Sequence, residues 1–185
     1  MFRILGEMIR GGIDIVQVRA KGFSAPEILP WLPSLKALAS DAGIPLIIND
    51  FPELGGQGHG VHVGQDDHSV ATARAALGGQ GIVGKSTHSF EQAVAAAAEG
   101  ADYIGFGPLF PTPTKAGRPA IGMDEISKVH AAVHIPIFCI GGIKRENLPE
   151  VIAAGARRVV IVSGILQSVE IPGYISDCKA LLPEY

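Results

Sequence analysis

The sequence predicts an α/β barrel of seven parallel strands wrapped by helices, a (β/α)8-type barrel that lacks its first strand. Three observations predict it. Short β-branched runs alternate with longer Ala- and Leu-rich runs along the chain, the order that gives a parallel sheet with helical crossovers. Several strand runs are continuously apolar, as in strands covered on both faces. Gly-rich turns follow the last two strands, where a barrel places a phosphate site. An open nucleotide-binding sheet carries its Gly-rich turn after the first strand.

The elements follow in order. Residues 2–11 alternate charge with apolar side chains and read as an amphipathic helix, the remnant of a first βα unit. Ile13–Val18 is a buried strand, and Pro26–Ala42 a helix stopped by Gly43. Ile44–Ile48 is the next strand, followed by a turn at Pro52–Gly56 and a strand at Gly60–Val63. Ser69 caps a helix over Ser69–Leu77. A short strand at Gly81–Val83 leads to an Ala-rich helix, Phe90–Glu99, that ends at Gly100. Tyr103–Phe106 is a strand and Gly107–Gly122 a long loop. The pattern closes with a helix (Met123–Val133), a strand (Ile135–Ile140), a helix (Arg145–Ala154), a strand (Arg158–Val162) and a last helix within Ile165–Leu182.

The 185 residues suffice for a single domain spanning 1–185. The composition, 47% hydrophobic and 18% charged, is that of a globular protein. A formal net charge of −3 supplies no basic field for nucleic acid. No apolar run approaches the roughly 20 residues that span a bilayer. The opening MFRILGEMIRGG, with charges scattered among its apolar residues, reads as a helix and not as a signal peptide. Cys139 and Cys178 read as buried free thiols in a cytoplasmic protein. No Cys/His cluster suggests zinc. Small molecules are thus the expected partners, with neither nucleic acid nor membrane; a homo-oligomer is compatible.

In a parallel barrel every strand C-terminus opens on one face, so candidate chemistry lies just after each strand. Alternation puts Gln17, Arg19 and Lys21 on one side. Two cations and an amide suit a polyanion beside a hydrogen-bonding ring, and equally a solvated loop. Asn49-Asp50 offers an amide and a carboxylate, or an Asx turn. Asp66-Asp67 offers a second carboxylate, or a helix cap; with Asp50 it forms an acid pair suited to Mg²⁺. Ser86 and His88 follow the fourth strand, and an isolated His is more often structural than catalytic. Thr112, Thr114 and Lys115 face an anion from a loop stiffened by Pro and Gly. Gly142 and Ser163 open backbone amides to a phosphate. The inventory is a diphosphate site with a metal beside a monophosphate site. That combination suits transfer between two phosphorylated small molecules.

The motifs QVRAK, IIND, GVHVGQDD, GKSTH, ADYIGFGPLFPTPTK, IPIFCIGGI and IVSGI occur in the order of the thiamine-phosphate synthase and thiazole tautomerase superfamily, which this sequence resembles from about Gly11 to about Ile165. The resemblance implies a TIM-type barrel and a transferase. Its reaction would couple 4-amino-2-methyl-5-(diphosphooxymethyl)pyrimidine with 4-methyl-5-(2-phosphoethyl)thiazole, giving thiamine phosphate and diphosphate. It further implies that Gln17, Arg19, Lys21, Asn49, Ser86 and Lys115 bind the pyrimidine diphosphate. Asp50 and Asp67 would hold Mg²⁺, and Thr112, Thr114, Gly142, Val162 and Ser163 would bind the thiazole phosphate. Arg19, Lys21, Ser86 and Lys115 would be catalytic, stabilising the departing diphosphate while the thiazole nitrogen captures the pyrimidinylmethyl cation. A thiazole tautomerase using His88 is the alternative within the superfamily, and a non-catalytic phosphate-binding barrel remnant is the alternative outside it.

Members of this superfamily normally begin with a strand of the type LYLIT. The sequence is expected to lack that strand, roughly 20 or more residues by the size of a βα unit. Its absence would leave the first and last strands with unpaired edges.

Overall fold

Seven short strands pair in chain order, and every pair is parallel: β1 (Val16–Val18), β2 (Leu46–Asn49), β3 (Gly60–Val63), β4 (Ile82–Thr87), β5 (Tyr103–Phe106), β6 (Ile137–Ile140) and β7 (Arg158–Val160). The computed structural model describes residues 1–112 and 119–183. Its helices are α1 (Phe2–Arg10), α2 (Ala25–Ile28), α3 (Leu32–Asp41), α4 (Val70–Ala76), α5 (Phe90–Ala98), α6 (Ile126–Ala132), α7 (Leu148–Ala153), α8 (Ser163–Leu166) and α9 (Ile171–Leu181). None of the described helices is long and apolar enough to cross a membrane.

Burial follows position in the ladder. All four residues of β2, of β3 and of β5 are buried, whereas β1 and β7 are only partly covered. The cause is the open sheet: among the described residues β1 pairs only with β2, and β7 only with β6. The helical layer bridges the ends that the strands leave apart. α1 packs on α9, so close that a Cβ on Gly11 would lie 2.9 Å from Ile175 Cβ and 2.9 Å from the Pro172 carbonyl oxygen. Lys179 Nζ on α9 donates to the Gly12 carbonyl at 2.5 Å and to Asp14 at 2.8 Å, joining the two sequence ends.

Outward-facing strand residues meet the helices in two apolar clusters. One gathers Leu5, Leu32, Leu35, Ile48, Val61 and Val83, and the other Ile104, Phe106, Ile126, Ile137, Leu148 and Cys139. Both cysteines are free and buried, and burial pushes the Cys139 thiol up to about 12, so it stays an unreactive apolar filler.

The strand order expected from sequence holds, but bounds change: the last strand ends at Val160 and not Val162, the sixth begins at Ile137 and not Ile135, and two helices, α8 and α9, follow β7 where one was expected. The fourth strand continues to Thr87, so Lys85 and Ser86 belong to the sheet and not to the loop beyond it. The stretch 26–42 is broken: Pro30 and Pro33, lacking N–H donors, interrupt the helix at a 3-10 turn over Leu29–Trp31. The first strand shortens to Val16–Val18.

His59 ties β2 to α3. Its Nδ1 accepts the Leu46 N–H at 2.9 Å, and its Nε2 lies 3.0 Å from Ser40 Oγ. An Nδ1 that accepts must be unprotonated, and burial, then the Lys36 charge, holds the imidazole below its usual value of 6.5. The unfolded chain therefore binds the extra proton more readily than the folded one. This contribution is full above about pH 6.5 and is lost as pH falls through the lower folded-state value. We expect thermal unfolding followed from pH 7.5 to about pH 5 to show a steeper loss of stability for the wild type than for His59→Gln, whose amide oxygen accepts without titrating. Parallel pH profiles for the two proteins would show that His59 does not set the dependence.

Candidate functional site

All strands run in one direction, so the residues that follow β1, β2, β3 and β4 share one mouth. They line a cavity of about 280 Å³ formed by Arg19, Lys21, Asn49, Asp50, Gly64, Gln65, Asp66, Asp67, Ser86 and His88. Six of the site residues expected from sequence thus meet in one place: Arg19, Lys21, Asn49, Asp50, Asp67 and Ser86.

Asp50 reaches the mouth through an unusual backbone. Its φ of 68° makes it the one non-glycine of the described residues in the left-handed region, a conformation that costs about 1 kcal/mol and that Asp tolerates better than most residues. Its N–H donates to the His62 carbonyl at 3.0 Å, continuing the β2–β3 ladder by one bond. Its carboxylate is ion-paired to Lys21 across the mouth. The Asp67 carboxylate accepts the Gly64 N–H at 2.8 Å, which fixes the turn after β3. Gln65 donates to the Ser86 carbonyl at 2.6 Å and fastens that turn to β4.

Along β4 alternation separates two roles. Lys85 turns to the helix side, where it is buried and bonds Glu99 at 3.0 Å. Ser86 turns inward, and its Oγ lies 2.9 Å from His62 Nε2. On its other side, the His62 Nδ1 lies 2.9 Å from the Tyr103 hydroxyl. Gln17, on β1, is not among the residues that line the cavity. Tyr103 is buried, and that burial holds its phenol well above the usual value. His88 lines the cavity, and its Nδ1 is hydrogen-bonded to the Gly107 carbonyl, linking the end of β4 to the loop after β5.

Gly142, Val162 and Ser163, expected to hold a second anion, are not among the residues that line this cavity. Gly142 follows β6; Val162 and Ser163 follow β7 at the start of α8. Gly141 and Gly142 have φ of 99° and 70°, and Cβ atoms there would come within 2.4 Å of Pro108 Cα and 2.6 Å of Phe110 Cβ. Their conformation and the tight seating of the loop after β5 both require glycine. Thr112 is partly buried, and Thr114 and Lys115 lie outside the described residues.

His62 and Tyr103 were not among the residues picked from sequence. The available signal was a polar side chain at an inward position of an otherwise apolar strand: His62 between Val61 and Val63. Such a residue, nearly buried, requires partners.

A divalent cation fits the donor set. Two carboxylates, an amide and open solvent suit a hard ion that keeps water or phosphate ligands. Among the described residues no three His, Cys, Asp or Glu side chains converge. The Lys21 ammonium is the cation that Asp50 holds here.

The family model described as thiamine monophosphate synthase matches residues 1–165. The thiamine-phosphate synthase of Shouchella clausii is 43% identical over 184 residues, which covers 98% of this chain and 88% of the relative. That of Thermus thermophilus is 42% identical over 165 residues, or 86% of this chain and 78% of the relative. The solved structure of thiamine phosphate pyrophosphorylase from Pyrococcus furiosus superposes with a TM-score of 0.87 at 25% identity, covering 97% of this chain and 87% of that one. A 3-hexulose-6-phosphate synthase at 18% identity, with a TM-score of 0.64, shares the fold.

If Lys21 competes with a divalent ion for Asp50, removing its charge should tighten ion binding. An exposed ion pair is worth up to about 1 kcal/mol. Mn²⁺ titrated in the absence of any diphosphate, with free ion read by electron paramagnetic resonance, should bind Lys21→Gln up to about fivefold more tightly than the wild type. Weaker binding by the variant would mean that Lys21 does not occupy the ion's position.

Proposed function

The chain belongs to the thiamine monophosphate synthase family, and on that premise we propose that its mouth joins a diphosphate-bearing pyrimidine to a phosphorylated thiazole, forming thiamine phosphate and releasing diphosphate. The observation that carries this reading is the convergence of Arg19, Lys21, Asn49, Asp50, Asp67 and Ser86 on one cavity. The chain covers nearly all of itself, and most of its relatives, in matches that bear that activity's name.

The chemistry asks little of the protein beyond placement and charge. The bond from the pyrimidinylmethyl carbon to the bridging oxygen breaks, and its electron pair leaves with the diphosphate. The thiazole nitrogen then donates a lone pair to that carbon, so no proton need be removed. Arg19 and Lys21 are the cations that meet the growing charge on the leaving group, and Arg19 brings a planar fork suited to phosphate oxygens. Lys115 would add a third cation. Ser86 and Asn49 supply neutral hydrogen bonds from the cavity wall, and Gln17, the pyrimidine ligand expected from sequence, would have to act from outside that wall. Asp50 and Asp67 would hold Mg²⁺, which neutralises diphosphate charge and acts as a Lewis acid when bound. Thr112, Thr114, Gly142, Val162 and Ser163 would hold the thiazole phosphate, with backbone amides after β6 and β7 as donors. Fixed donors and cations of this kind stabilise a transition state without rearranging during the reaction.

The rival within the superfamily, isomerisation of a thiazole by His88, needs an acid–base side chain and no metal carboxylates. The two readings separate on one pair of variants assayed with both phosphorylated substrates and Mg²⁺. Asp50→Ala should lower thiamine phosphate formation by at least about 100-fold, the scale of losing one preorganised electrostatic contact, while His88→Ala keeps most of it. Loss in His88→Ala with retention in Asp50→Ala, or a protein that only isomerises the thiazole, would contradict the synthase reading.

A further inference from the structure

We propose that Tyr103 and His62 are positioning residues that turn Ser86 into an obligate hydrogen-bond donor toward the mouth. Three consecutive strands place them in one row of the sheet: His62 on β3 is in register with Gly84 on β4, and Gly84 with Tyr103 on β5. The middle member has no side chain, and a Cβ there would lie 2.1 Å from Tyr103 Cζ and 2.5 Å from its hydroxyl oxygen. The Tyr103 ring therefore crosses β4 through the space left by Gly84 and meets His62 with ring centroids 5.4 Å apart. Phe138 on β6 closes the far side of that ring edge-on at 5.4 Å. The hydroxyl has one direction in which to point.

Donor and acceptor roles then follow along the chain of contacts. Tyr103 is 8% exposed and keeps its proton, which a buried phenol must place on an acceptor. The acceptor within its reach is His62 Nδ1, 2.9 Å away. An imidazole whose Nδ1 accepts carries its proton on Nε2. That proton goes to Ser86 Oγ at 2.9 Å. Ser86 has then filled one lone pair from inside the protein, and its own O–H is free to point into the cavity that Arg19 and Lys21 also line. The opposite direction would have Ser86 donate inward and offer only lone pairs to the mouth, where an anionic oxygen would repel them. The row thus links Tyr103 on β5 to Ser86 on β4 through His62 on β3, and neither Tyr103 nor His62 need touch substrate.

The functional consequence rests on Ser86 meeting the diphosphate, as proposed above; the tautomer of His62 does not. The full chain labelled with ¹⁵N-histidine gives the tautomer directly from long-range ¹H–¹⁵N correlations, with the His62 signals assigned by their loss in His62→Gln. The expected result is a ring protonated on Nε2 alone in the wild type, and loss of that pure state in Tyr103→Phe and in Gly84→Ala, which displaces the phenol without removing a functional group. Tyr103→Phe should also lower kcat/KM for the pyrimidine diphosphate roughly tenfold, the scale of a hydrogen bond to a charged group. Adding Ser86→Ala to it should cost far less than Ser86→Ala costs alone. A wild-type His62 protonated on Nδ1, an unchanged tautomer in Tyr103→Phe, or fully additive losses would overturn the proposal. A chain that makes no thiamine phosphate yet shows the Nε2 tautomer and its loss would defeat the functional reading and uphold the relay.

Discussion

The constraint on which this molecule depends is the unbroken parallel ladder from β1 to β7. Parallel strands cannot be joined by tight turns; each is re-entered from the same end after a crossover. Every strand C-terminus therefore opens at one mouth, and side chains as far apart in sequence as Arg19 and His88 line one cavity. Lys21 and Asp50 pair across that mouth, and Ser86 joins it from the end of a strand. The same ladder explains where the fold is thin. β1 and β7 are half covered, and the burial that stabilises the middle strands is supplied at the ends by α1 seated on α9. Gly11 is the point at which that seating leaves no room for a side chain.

The interior of the sheet is not filled as an ordinary apolar barrel core. Its inward row alternates full and empty positions: glycines at 60, 84 and 105 stand among His62, Ser86 and Tyr103. The empty positions are what permit polar side chains of neighbouring strands to reach one another. Buried polar groups are costly when unpaired and stiff when paired, so a row of this kind trades apolar packing for fixed directions. The outward faces carry the apolar burden instead, with Val61, Val63, Val83, Ile104 and Phe106 almost wholly buried against helices.

The legible parts of the sequence were those with local causes. Strands buried on both faces appear as apolar runs, and Gly43, Gly100 and Gly155 mark helix ends through their positive φ of 70°, 87° and 107°. The mouth residues were legible because each stands directly after such a run. The break in 26–42 was visible in Pro30 and Pro33, yet apolar spacing alone carried the helix through them. The true end of β4 was hidden. Gly84, Lys85 and Ser86 read as a loop by composition, whereas pairing with β3 and β5 on both sides holds them extended. Pairing is a property of the neighbours, which sequence periodicity does not record. His62 and Tyr103 were hidden for the same reason: their partner lies across a glycine on another strand.

On the proposed function, the ends of β1 to β4 form one diphosphate and metal site. A crystal structure of the full chain grown with Mg²⁺ and inorganic diphosphate tests it most directly. The ion is expected between Asp50 and Asp67 and the diphosphate on Arg19, with Lys21 withdrawn from Asp50 onto a phosphate oxygen and Ser86 donating to the anion. Diphosphate bound elsewhere, or Lys21 still paired with Asp50 beside an occupied mouth, would contradict it.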